Sequence, residues 1–126
     1  MPNHDARNGG DLERAAMKEL QVNGYYVIKS GGSRGIVDLA AFKPGETLFV
    51  QCKRTGYLDP ADRAKLYALA RNHGAIALMS TWHKEGRAAR TVSFAELAGT
   101  TLFWPWSPDY GIADANANAR ATESAT

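Results

Sequence analysis

Between Ser30 and Lys53 the chain reads SGGSRGIVDLAAFKPGETLFVQCK, and this stretch admits few folds. Ser30 to Gly35 is too rich in glycine to be anything but a loop. Ile36 to Phe42 and Thr47 to Lys53 are β-branched and aromatic runs, joined by Lys43-Pro44-Gly45-Glu46, whose Pro and Gly suit a tight turn. A β-hairpin is therefore expected. Side chains alternate across a strand, so Phe49, Gln51 and Lys53 share one face and Val50 and Cys52 the other. Antiparallel pairing brings the start of the first strand, with Asp38, to the end of the second. Asp38, Gln51 and Lys53 are thus expected to converge on one point.

The rest of the chain supplies layers for this hairpin. Asp11 is placed to cap a helix running to about Asn23, with Leu12, Ala15, Ala16 and Leu20 at helical spacing and Gly24 ending it. Tyr25 to Lys29 reads as a strand. Asp59-Pro60 is a cap followed by proline in the first turn, opening a second helix to about His73 that Gly74 stops. Ala75 to Thr81 is a continuous apolar run, expected as a buried strand. Arg90 to Val92 is read as a short extra strand and Phe94 to Leu97 as a short helix. The order α-β-β-β-α-β predicts an α/β fold, a mixed β-sheet flanked by helices. Residues 1–10 are expected to be flexible, 11–106 to form one domain, and the Ala/Asn/Ser/Thr-rich tail 107–126 to be disordered.

Composition excludes several classes. No apolar run approaches the roughly 20 residues needed to span a bilayer, and the polar N-terminus MPNHDARNGGD lacks a signal-peptide core. The single cysteine, Cys52, excludes an internal disulfide and suits a reducing, cytoplasmic setting. It faces away from Gln51 and Lys53, so it is read as core rather than nucleophile. His4, His73 and His83 are scattered without zinc spacing. No small-molecule cofactor is expected. Residues 29–71 hold eight basic and four acidic side chains, whereas the tail is net acidic. The basic excess surrounds the hairpin, as a phosphate-binding surface requires, although an ordinary solvated surface has similar counts.

An acid and a lysine meeting at a strand end beside a second oxygen donor suit phosphate chemistry. Mg²⁺ takes oxygen ligands, often one or two carboxylates, and neutralises charge building on a phosphate; Mn²⁺ is a plausible substitute. A neighbouring lysine orients the attacking water and stabilises the transition state. The plainer reading is a cross-strand ion pair between Asp38 and Lys53. Glu13, at the edge of the first helix's apolar face, is a partly buried carboxylate that wants a cation, unless it snorkels to solvent. Ser33 lies where glycines allow close phosphate approach, or in a plain turn. Lys29, Arg34, Arg54, Arg63 and Lys65 are candidate phosphate contacts, and Tyr57 a candidate DNA contact or a loop-packing residue. The run LFWPW, with Trp104 and Trp106, covers the core or forms a dimer contact more readily than it stacks on bases.

The run ERAAMKEL…NGYYVIKSGGSRGIVDLAAF…LFVQCKRT resembles the archaeal-type Holliday junction resolvases of the PD-(D/E)xK nuclease superfamily. Glu13-Arg14, Gly24-Tyr25, Gly32-Ser33, Asp38-Leu39 and Gln51-Cys52-Lys53 fall in the family's order, over roughly residues 9–81. The resemblance implies a restriction-endonuclease-like core. It implies a homodimeric, divalent-metal-dependent endonuclease that nicks two symmetric strands of a four-way DNA junction in recombination, repair or replication. It implies Glu13 and Asp38 as metal ligands, Lys53 as the catalytic lysine and Ser33 near the scissile phosphate. The family's acid falls on Gln51, which offers a carbonyl oxygen without charge. A nuclease of other branched or duplex DNA, or a DNA-binding module weakened at Gln51, are the alternatives.

Overall fold

The computed structural model describes residues 4–30, 35–100 and 103–108, with side chains from residue 10 onward. The elements are α1 (His4–Val22), β1 (Tyr26–Lys29), β2 (Leu39–Lys43), β3 (Glu46–Cys52), α2 (Pro60–Asn72), β4 (Ile76–His83), β5 (Thr91–Leu97) and β6 (Phe103–Trp106). The six strands form one sheet in the order β1-β2-β3-β4-β5-β6. All neighbours are antiparallel except β3 and β4, which run parallel through the α2 crossover. The sheet is therefore mixed, as expected.

The β2–β3 hairpin forms as the sequence requires. Its turn places Gly45 at φ 76°, a left-handed conformation that glycine adopts without strain. The register pairs Leu39 with Val50 and Lys43 with Glu46. Asp59 caps α2 by accepting from the Asp62 backbone N–H at 2.9 Å. At the other end Gly74, at φ 66°, lets the chain turn so that Ala75 N–H bonds Ala70 C=O at 2.8 Å.

The two helices cover opposite faces. Ala16 and Leu20 of α1 pack with Val27, Leu39, Ala41, Leu48, Val50, Leu78, Phe94 and Trp106. Leu66 and Ala70 of α2 pack with Leu58, Ala77, Met79 and Leu97, with Phe49 against them. Leu48 is fully buried on a central strand. Leu48→Ala is expected to lower stability by about 2–5 kcal/mol, read from urea unfolding.

Three expectations change. The first helix starts at His4 rather than after Asp11, so residues 4–10 are helical. Asp11 sits inside the helix and pairs with Arg14 one turn on, an alternative use of a short acid to capping. Phe94 to Leu97 is strand rather than helix: the ladder of β5 with β4, from His83↔Thr91 to Leu78↔Glu96, overrides the local propensity of Ala-Glu-Leu. Within LFWPW, residues Phe103–Trp106 form the edge strand β6. Trp106 covers the core, edge-on to Phe94 at 5.5 Å, while Trp104 is exposed. Pro105 is tolerated because β6 is an edge. The tail beyond residue 108 lies outside the described residues.

Candidate active site

The ends of β2 and β3 meet as the alternation predicts. Asp38, just before β2, donates its backbone N–H to Val50 C=O at 2.8 Å, and its carboxylate accepts from the Cys52 backbone N–H at 2.8 Å. That bond fixes the Asp38 side chain against the end of β3. Lys53 is held by its own N–H donated to Ser80 C=O at 2.9 Å, which extends the parallel β3–β4 pairing past Cys52. Gln51 and Phe49 lie on the α2 side of β3, by alternation with the buried Leu48 and Val50.

Electrostatics tie these groups together. Burial pushes the Asp38 carboxyl above its ordinary value; the Cys52 hydrogen bond opposes this, the Glu13 charge adds to it, and the Lys53 charge opposes it. Glu13 of α1 therefore acts on Asp38, as does Lys53. Glu13 also lies 3.4 Å from Lys29 Nζ.

Gln51 carries the most telling atom. Its Oε1 is buried and has no hydrogen-bond partner among the described residues. A buried carbonyl oxygen without a donor is costly, so such an atom calls for a partner of positive character. Among the described residues no three His, Cys, Asp or Glu side chains cluster to hold a metal on their own. Asp38 and Glu13 would offer two carboxylates to a bound cation, and the Gln51 amide oxygen stands where a third acid would otherwise be. An all-oxygen donor set of this kind fits a hard divalent cation.

Cys52 is core. Ser80, fully buried, donates to its sulfur at 3.1 Å, and burial pushes the thiol up to about 12. A thiol so protonated is a poor nucleophile.

The predicted phosphate contacts divide. Arg54 and Tyr57 are exposed in the loop that leaves β3, and Lys65 is exposed on α2. Lys29 is engaged by Glu13. Arg63, in the first turns of α2, has its Nε buried and without a partner among the described residues. Ser33 and Arg34 lie outside the described residues. Sequence reading missed two features: the Cys52 backbone N–H that orients Asp38, which no side-chain pattern announces, and the basic side chains of the β4–β5 hairpin, Lys84, Arg87 and Arg90.

A mixed sheet between two helix layers, with an acid, an amide and a lysine gathered at the end of the β2–β3 hairpin, defines a restriction-endonuclease-like fold. Residues 4–103 match the archaeal Holliday junction resolvases (Hjc), and the chain belongs to that family. It is similar to the crossover junction endodeoxyribonuclease Hjc of Methanocaldococcus jannaschii, 36% identical over 75 residues. That match covers 56% of this chain and 56% of the relative, so it spans little more than half of the relative's length. It is also similar to the solved structure of the Holliday junction resolvase Hjc from Archaeoglobus fulgidus, with a TM-score of 0.55 and 25% identity. That match covers 73% of this chain and 79% of the other. Nucleases of this family generally need a divalent metal. No helix among the described residues is long and apolar enough to cross a membrane.

Proposed function

We propose that the chain is a divalent-metal-dependent endodeoxyribonuclease that resolves four-way DNA junctions by paired phosphodiester nicks. The observation that carries this reading is the gathering of Asp38, Lys53 and the partnerless Gln51 oxygen at one end of the sheet, with Glu13 close enough to act on Asp38. Asp38, Glu13 and Gln51 would hold the cation, Mg²⁺ with Mn²⁺ as a substitute. When bound, the cation neutralises charge building on the phosphoryl oxygens. Asp38 keeps its orientation through the Cys52 N–H. Lys53 places a fixed positive charge beside Asp38, where it orients the attacking water and stabilises the negative charge of the transition state. Arg54, Arg63 and Lys65 take flanking phosphates, with Tyr57 against the DNA; Ser33 and Arg34, outside the described residues, are assigned to the scissile and a flanking phosphate. The single cysteine, free and half-buried, suits a cytoplasmic setting.

A junction with two symmetric strands to cut calls for two sites, hence a homodimer. Tyr26, Ile28 and Phe42 are exposed, and Tyr26 pairs directly with Phe42 across β1 and β2. This apolar patch, which neither helix covers, is a surface a second copy would bury.

The test is a labelled four-way junction and a matched duplex, each with Mg²⁺ or with EDTA. Paired nicks in the junction alone, dependent on metal, are expected; tight binding without cutting, unchanged by metal, overturns the reading in favour of a DNA-binding module. Gln51→Glu adds a charge to the donor set and is expected to lower the metal concentration for half-maximal cutting about tenfold. An unchanged metal titration removes Gln51 from the ligand set.

A further inference from the structure

One strongly basic element stands apart from the candidate active site. β4 is parallel to β3, with Ser80 beside Cys52, so Trp82 and His83 emerge at the same end of the sheet as Gln51 and Lys53. β5 returns with Thr91 opposite His83. The connecting residues 84–90 reach past the last rung of the ladder, turn at Gly86 (φ 56°) and are all exposed. With about half of them on each arm, the tip extends roughly 10 Å, enough to reach phosphates beyond the one at the sheet end.

The tip carries Lys84, Arg87 and Arg90 against a single acid, Glu85, which lies 3.4 Å from His83 Nε2. Lys84 and Arg87 make no ion pair among the described residues, so folding gains nothing from their charge. The root of the hairpin is different. The Arg90 guanidinium lies over the Trp82 ring at 4.0 Å, a cation–π contact that holds the two strands' outgoing ends together. The Trp82 indole N–H is buried and has no acceptor among the described residues, an unspent donor beside a cation. Two unpaired cations and a third braced at the root, all exposed at the active end, suit a polyanion.

We propose that the β4–β5 hairpin is a second DNA-binding element, in which Lys84 and Arg87 take backbone phosphates of the duplex arm flanking the cut and Arg90, braced on Trp82, sets the hairpin's direction. It reads shape and charge, not sequence. The inference rests on the proposal that the chain acts on branched DNA, and one experiment separates the two.

Binding of the wild-type chain and of Lys84→Ala/Arg87→Ala to a labelled four-way junction is followed by anisotropy over a salt series, together with single-turnover cutting at saturating junction. Loss of two phosphate contacts is expected to flatten the log–log salt slope by about 1.8 and to raise Kd about tenfold or more at low salt. The single-turnover rate stays within about twofold of wild type, because neither side chain touches the reacting phosphate. The same variant is expected to lose its defect on a junction whose arms are trimmed short of the hairpin's reach. Wild-type binding with an unchanged slope and Kd in the double variant overturns the hairpin's role alone. A collapsed single-turnover rate with unchanged Kd overturns it too, by moving these residues into the chemistry. A wild-type chain that binds neither junction nor duplex removes this inference together with the function it rests on.

Discussion

Asp38→Asn is expected to lower the single-turnover cutting rate by roughly three orders of magnitude and to leave junction binding intact. The substitution is nearly isosteric, and the Asn Oδ1 still accepts from the Cys52 N–H that orients Asp38 at 2.8 Å. What disappears is the charge. In the metal-free protein that charge is a burden, because burial raises the Asp38 carboxyl and the neighbouring Glu13 raises it further against the relief from Cys52 and Lys53. The sign for stability follows from linkage. A carboxyl raised in the folded state binds its proton more tightly there than in the unfolded chain. Its contribution is therefore greatest at low pH and falls as pH rises from the ordinary value of about 3.9 through the raised one. Asp38→Asn lacks that fall, so in EDTA at neutral pH its thermal midpoint is expected to equal or exceed that of wild type. Mg²⁺ should raise the wild-type midpoint and leave the variant's unmoved. Continued cutting by Asp38→Asn, or a midpoint well below wild type, defeats the assignment.

The convergence of Asp38, Gln51 and Lys53 is legible in the sequence, because it needs only strand alternation and one antiparallel turn, both local. Glu13 is legible only through its spacing to the rest of the family motif. Its helical angle places it at an edge, and nothing local says which neighbour it meets. Of β5 only the start is legible, at Arg90 to Val92, and β6 is not. Phe94-Ala95-Glu96-Leu97 has a helical composition, and only the partner β4 makes it a strand. The same dependence hides the basic hairpin. Lys84, Arg87 and Arg90 gain a place at the active end only because β4 runs parallel to β3, a relation set by the α2 crossover and not by any residue near the hairpin. The bond from the Cys52 N–H to Asp38 belongs with these. It joins a main-chain atom to a side chain across a hairpin, and no pattern of residue types encodes it.

Lys53→Met removes the other half of the site while leaving its frame. The residue is positioned by its main chain, whose N–H bonds Ser80 C=O at 2.9 Å and whose C=O accepts from Gly56 N–H at 3.0 Å, and methionine preserves both. The Met side chain fills much of the same volume without the ammonium. Loss of a preorganised charge at the transition state is expected to slow cutting by about 10²–10³-fold, roughly 3–4 kcal/mol. Were Lys53 merely one end of a surface ion pair with Asp38, its removal would cost about 1 kcal/mol or less of stability and nothing in rate. The two substitutions are expected to separate cleanly. Asp38→Asn is expected to remove cutting and the thermal response to Mg²⁺ together, because it takes away a proposed ligand. Lys53→Met removes most of the cutting but keeps the thermal response, because the oxygens of Asp38, Glu13 and Gln51 remain. A Lys53→Met chain that cuts at the wild-type rate reduces the lysine to a structural partner. One that also fails to respond to Mg²⁺ makes it a support for the metal site and not an actor on the phosphate.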